Sequence, residues 1–143
     1  MVKVLDSSIS FFSEDITFKL LDELKTSAWI TNTITNEGMC PGNINYIFCS
    51  DVYLHKMNIE HLNHDTLTDI ITFNYCEDDL VNTDVFISID RVKENADIFK
   101  CTFEKELNRV MIHGVLHLVG YDDKSDVDKQ KMRAKEDFYL NLQ

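Results

Sequence analysis

Proline occurs once and glycine four times in 143 residues, which leaves little material for long flexible linkers and excludes collagen-like sequence. No apolar run approaches the ~18 residues that a membrane-spanning helix needs. Residues 1–10 carry one lysine and lack the apolar core of a signal peptide, so export is not expected. The four cysteines, Cys40, Cys49, Cys76 and Cys101, lie 9, 27 and 25 positions apart and form no C-x-x-C pair. Such scattered cysteines read as reduced, half-buried small hydrophobes in a cytoplasmic protein, not as disulfides or a thiolate metal site.

Positive charge is scarce too. Lysine and arginine number 14 against 25 aspartates and glutamates, a net charge of −11. Residues 60–99 carry −8 of it, residues 1–59 carry −3, and residues 100–143 are neutral. Phosphate contacts dominate affinity for nucleic acid, so a stand-alone RNA binder is expected to show a basic footprint. None is visible here.

The rest of the composition is that of an ordinary globular protein, 44% hydrophobic and 27% charged, at a length that suits one domain over residues 1–143. Residues 2–5 are short and β-branched, a first strand. Phe18, Leu21, Leu24, Ala28 and Trp29 recur at helical spacing, which predicts an amphipathic helix over about 15–35, stopped by Asn36-Glu37-Gly38. Cys40-Pro41-Gly42 reads as a turn, and Ile44, Tyr46 and Phe48 alternate as a strand. Ser50 or Asp51 can cap a helix to about residue 59. Residues 69–75 and 85–89 form a probable strand pair broken by Glu77-Asp78-Asp79, and Asp90 can cap a helix over 91–100. A long helix follows over 102–119, with Gly120 as its stop, and a last one starts at Ser125 or Asp126 and runs to about 140. Strands and helices do not alternate strictly, so the expected class is α+β: a small mixed sheet of about four strands packed with helices.

Chemistry concentrates in residues 113–123. His113 and His117 stand at i and i+4, about 40° apart around a helix and one turn above each other, a geometry that lets two imidazoles grip one ion. Gly120 can turn the chain back so that Asp122 or Asp123 supplies a carboxylate. Two histidines and a carboxylate, with a further position left to water, describe an open catalytic zinc site. Equally, each histidine could be a satisfied polar group at the edge of the core. The zinc-peptidase motif H-E-x-x-H requires a glutamate where this chain has Gly114, so that chemistry is not supported.

The run His113-Gly114-Val115-Leu116-His117-Leu118-Val119-Gly120-Tyr121-Asp122-Asp123 resembles the signature of the YbeY family of metal-dependent endoribonucleases, bacterial rRNA maturation factors. That signature reads H-G-x-L-H-L-x-G-Y-D-H, and only the last position differs. Upstream, Thr68-Asp69-Ile70-Ile71-Thr72-Phe73 resembles the family's T-D-V-L-S-F strand, and Asp84-Val85-Phe86-Ile87-Ser88 its G-D-I-x-I-S strand. Order, spacing and overall length fit a whole family member. The resemblance implies a single compact zincin-like domain holding one zinc ion through His113, His117 and Asp123. It implies a single-strand-specific endoribonuclease of small-subunit rRNA maturation and ribosome quality control. The implied partners are an rRNA precursor and the ribosomal small subunit or its proteins, in the cytoplasm and away from membranes.

Two departures stand out. Asp123 replaces the third family histidine; a carboxylate can still complete such a site, but it removes one positive charge, makes bound water less acidic and admits harder metals such as manganese. An arginine that many members carry six residues before the T-D strand is Leu62 here. His61, His64 and Arg109 are candidates to replace it, the histidines being weak cations at neutral pH. For catalysis the candidates are Arg109 and Asp122, the latter a possible base and more often a support for its ligating neighbour. Two rival readings remain at this level: a metallopeptidase-like hydrolase, and a non-catalytic ribosome-assembly factor whose acidic charge suits basic ribosomal proteins. Because no cysteine pair has a motif spacing, thiol titration of the purified, unreduced protein is expected to find four free thiols. Two or fewer would contradict the cytoplasmic expectation.

Overall fold

In the computed structural model, which describes residues 8–62 and 68–143, alternating apolar residues build a four-stranded sheet in the order β1-β2-β4-β3. β1 (Ser8–Ser13), β2 (Cys40–Cys49) and β4 (Leu80–Ser88) run parallel, and β3 (Ile70–Asn74) closes one edge antiparallel to β4. The helices are α1 (Glu23–Asn36), α2 (Asp51–Leu62), α3 (Ile89–Phe99), α4 (Phe103–Leu118) and α5 (Asp126–Leu140). This is the α+β class with a mixed four-stranded sheet. None of the described helices is long and apolar enough to cross a membrane.

The two-residue period of the strands sorts their side chains by face. Ile44, Tyr46 and Phe48 of β2 and Val81, Val85 and Ile87 of β4 are buried in the main core with Trp29, Ile30 and Ile34 of α1 and Leu107 to Leu116 of α4. The other face forms a smaller cluster of Cys49, Leu54 and Ile71, flanked by Tyr53, Met57, Phe73 and Phe86 beneath α2. Along β3, Ile70 and Thr72 therefore face α4, whereas Ile71 and Phe73 face α2.

At Gly114 α4 lies close against that sheet. A Cβ at this position would lie 2.9 Å from Ile70 Cδ1 and 3.1 Å from Thr72 Cγ2. The glycine is thus a packing requirement. It lets the helix lie against the β3 edge, and a side chain directly after His113, glutamate included, would force Ile70 and Thr72 to shift.

Several boundaries differ from the sequence expectations. The strand expected over 2–5 lies outside the described residues; the first described strand is Ser8–Ser13. The first helix begins at Glu23, not near 15, because Asp22 caps it by accepting the Lys25 N–H at 3.0 Å. Phe18 and Leu20 still pack on the core from the preceding loop, while Leu21 and Leu24 are exposed, so the helical spacing through them is coincidental. Cys40-Pro41-Gly42 is not a turn but the start of β2, with a register shift between Pro41 and Ile44. Gly42 allows the close approach of β4 there, since a Cβ would sit 2.9 Å from the Val81 carbonyl oxygen. The cap of α3 is Ser88, whose Oγ accepts the Arg91 N–H at 3.0 Å; Asp90 instead accepts the Asp51 N–H at 2.9 Å.

Replacing Gly114 by valine should force α4 away from β3 and destabilise the fold by about 2–3 kcal/mol, as overpacked core positions do. Urea unfolding of the variant measures this, and parental stability would mean that the contact has slack.

Candidate metal centre

Helix α4 is built to end where it does. Thr102 caps its start by accepting the Lys105 N–H at 3.1 Å, and Glu104 and Glu106 suit the positive end of the helix dipole. At the other end the Tyr121 N–H donates to the Leu116 carbonyl at 2.9 Å and the Gly120 N–H to the His117 carbonyl at 3.2 Å. With Gly120 at φ +117, this is a Schellman stop, which a glycine at that position favours. The chain leaves the helix turned back towards His117.

That turn brings Asp123 over the two histidines. Asp123 Oδ2 lies 3.4 Å from His113 Nε2 and 3.3 Å from His117 Nε2. The imidazole rings stand nearly perpendicular, with centroids 4.5 Å apart. One donor atom from each of His113, His117 and Asp123 lies within 4.8 Å of the others, so the three could hold a metal ion. Donors about 2.0–2.1 Å from one tetrahedral ion stand about 3.3–3.4 Å from each other. The two distances to Asp123 meet that spacing. Side-chain exposures of 24% for His113, 29% for His117 and 41% for Asp123 leave the trio open to solvent on one side.

Behind the trio stands a residue that the sequence reading did not single out. Glu136 of α5, almost fully buried, lies with Oε2 at 2.7 Å from His113 Nδ1, and its Oε1 accepts from Arg109 Nη1 at 2.8 Å. A carboxylate on Nδ1 fixes the tautomer and ring orientation, turning the Nε2 lone pair outward, as in carboxylate–histidine–metal triads. Burial works against ionisation of Glu136, but His113 and Arg109 outweigh it and lower its pKa. Likewise burial disfavours a charged His113, while Glu136 outweighs that and raises its pKa. A signal for this residue exists in the chain: Glu136 falls in register with the buried Met132 and Tyr139, a charged group in an apolar stripe.

The remaining candidates fall into place around this core. Arg109 is committed to Glu136 and, at 2.9 Å, to Asp137, so its charge is neutralised at the back of the site and it bears on His113 through Glu136. Asp122 accepts the Asp123 N–H on its Oδ1 at 3.0 Å, shaping the ligand loop. His61 packs edge-on against Phe73, 6.2 Å between centroids, on the α2 face of the sheet and away from the histidine pair. His64 lies outside the described residues. Asp69, from the expected T-D segment, is half-buried; burial raises its pKa, and His113 opposes that rise.

Known proteins are similar to this chain over most of its length. Residues 9–142 match the family model described as Endoribonuclease YbeY. The chain is similar to a protein named Endoribonuclease YbeY from Flavobacterium psychrophilum, 53% identical over 92% of this chain and 94% of that one. A protein of the same name from Amoebophilus asiaticus is 47% identical over 94% and 92% of the two chains. Among solved structures, the solution structure of a Thermotoga maritima protein superposes with a TM-score of 0.68 at 32% identity, covering 94% of this chain and 87% of that one.

The donor geometry gives a ranked expectation for metal loss. His113→Ala and His117→Ala should each abolish stoichiometric zinc, because the remaining donors cannot hold it well. Asp123→Ala should weaken affinity much more than Asp122→Ala. Zinc content by elemental analysis and affinity by chelator competition check this; full zinc in either histidine variant, or equal loss from both aspartate variants, would refute the ligand assignment.

Proposed function

Since this chain belongs to the YbeY family of endoribonucleases, we propose that it is a zinc-dependent, single-strand-specific endoribonuclease of rRNA maturation, acting as one domain over residues 1–143. The observation that carries the proposal is the trio His113, His117 and Asp123, spaced for one ion and open on one side. His113, His117 and Asp123 would hold a divalent ion there, which would supply Lewis acidity towards a phosphodiester oxygen. The protein's own groups do the rest. Glu136 holds the His113 ring in its ligating orientation, Arg109 holds Glu136, and Asp122 braces the backbone of its neighbour.

Peptide hydrolysis is disfavoured by the same geometry, because Gly114 packs against Ile70 and Thr72 where a peptidase needs its glutamate base. We further propose cytoplasmic action on a small-subunit rRNA precursor, with a role in ribosome quality control. The net charge of −11 favours contact with basic ribosomal proteins of the small subunit. That charge also supports a second reading, in which the protein assists ribosome assembly without cutting RNA.

One metal-loaded preparation separates these readings when offered single-stranded RNA, the matching duplex, an unstructured peptide substrate and ribosomal proteins. The expected result is cleavage of the single strand alone, lost in His117→Ala. Peptide cleavage would favour the hydrolase alternative, and ribosomal-protein binding without RNA cleavage the assembly reading.

A further inference from the structure

The third ligand sits on a stretch with little backbone support. Beyond the Tyr121 N–H, the backbone between Tyr121 and Ser125 makes, among the described residues, only the bond from the Asp123 N–H to its neighbour Asp122. Yet Asp123 must reach the ion with a side chain shorter than the imidazole found in the family signature. Something else must hold the loop.

The side chain of Tyr121 leaves the loop in the direction of α1. Its hydroxyl donates to Glu37 Oε1 at 2.8 Å. Glu37 stands at the C-cap of α1, the negative end of the helix dipole, where a carboxylate is locally disfavoured, and it is only 11% exposed. Three donors compensate it: Tyr121, Lys135 Nζ at 3.1 Å, and the Tyr139 hydroxyl in a short bond. Asn36 Nδ2 donates to the same Tyr139 oxygen at 2.9 Å, and the Lys135 ammonium lies 5.6 Å above the Tyr121 ring. The end of α1, the stop of α4 and the inner face of α5 thus meet on one carboxylate, and Tyr121, which binds it, is two residues from Asp123.

We propose that Glu37 and Tyr121 are positioning residues for the metal site: the Glu37–Tyr121 bond anchors the loop that presents Asp123 Oδ2 at ligand distance from the histidine pair. The inference rests on the reading of Asp123 as a ligand. Neither residue touches the ion or the substrate; they act through the backbone of the loop.

The test measures zinc affinity by chelator competition, and the visible absorption of the cobalt(II)-loaded protein as a report on coordination. It compares the parent, Tyr121→Phe, Glu37→Ala, Glu37→Gln, Asp123→Ala and the Tyr121→Phe/Asp123→Ala double variant. Tyr121→Phe keeps the ring and loses only the hydroxyl. It should weaken zinc binding about tenfold, the lower end of what outer-layer partners cost, and move the cobalt bands towards those of Asp123→Ala with an unchanged thermal midpoint. Glu37→Ala should do the same, while Glu37→Gln, which keeps an oxygen for the hydroxyl, should restore most of the affinity. In the Asp123→Ala background, Tyr121→Phe should cost nothing further. Parental affinity and bands in both Tyr121→Phe and Glu37→Ala would overturn the proposal, as would a further tenfold loss in the double variant. Undiminished affinity in Asp123→Ala would overturn the ligand reading and this inference with it, so the two failures are distinguishable.

Discussion

Helix α4 has to form core and carry the candidate ligands His113 and His117 at once, and its contact with β3 at Gly114 bears on both. The helix buries Leu107, Val110, Met111, Ile112, Val115 and Leu116, so its rotation about its own axis is fixed by the main core. With that rotation set, His113 and His117 fall on the flank of the buried stripe, partly covered and partly open. The distance from helix to sheet is set separately, by the absence of a side chain at 114. A larger residue would lift the helix and carry both histidines away from the loop and from Glu136. The peptidase-type motif and this one therefore differ by more than a missing base: the glycine that excludes the glutamate also sets the depth of the site.

Once α4 is fixed, charge is arranged in layers behind it. His113 leans on Glu136, Glu136 on Arg109, and Arg109 on Asp137 at the solvent boundary. Each carboxylate in this chain is met by a cation or a polarised ring, which is how a buried ionised group avoids its desolvation cost. Removing Arg109 would leave Glu136 to satisfy itself on His113 alone. The same logic recurs at Glu37, where two hydroxyls and an ammonium converge on a carboxylate at a helix end. In both places α5 supplies the partner, so the C-terminal helix is the common wall of the candidate metal trio and of the Glu37 cluster.

Much of this was legible in the chain. The i, i+4 histidines, the glycine stop and the carboxylate after it are local, and local patterns survive folding because one helix and one turn determine them. The class and the strand pair were legible for the same reason. What escaped was either tertiary or overridden. Glu136 lies 23 residues from His113, and no local rule links them. Its only trace is a charge in register with Met132 and Tyr139. The spacing of Phe18, Leu21 and Leu24 points to a helix start near residue 15, but Phe18 packs on the core from a loop and Leu21 and Leu24 are exposed, so the pattern continues where the helix does not. Pro41-Gly42 looked like a turn because turn residues also permit close strand approach, and β2 uses them that way.

The acidic composition, which by itself argues against an RNA enzyme, loses force when placed in the fold. The triplet Glu77-Asp78-Asp79 belongs to the β3–β4 connection, beyond Asn74. Ile70, at the other end of β3, is the residue that meets Gly114 beside the histidines. Four strand residues at about 3.4 Å each separate the two ends by roughly 14 Å, more than the ~8 Å over which charges are felt at physiological ionic strength. Closer in, Asp69 is half-buried with its pKa raised by burial, and Glu136 is matched by Arg109 and His113. Two neutral imidazoles and one carboxylate leave a bound divalent ion with a single net positive charge. A phosphodiester carries one negative charge, so the attraction is local and matched in size, with no need of a basic surface around it.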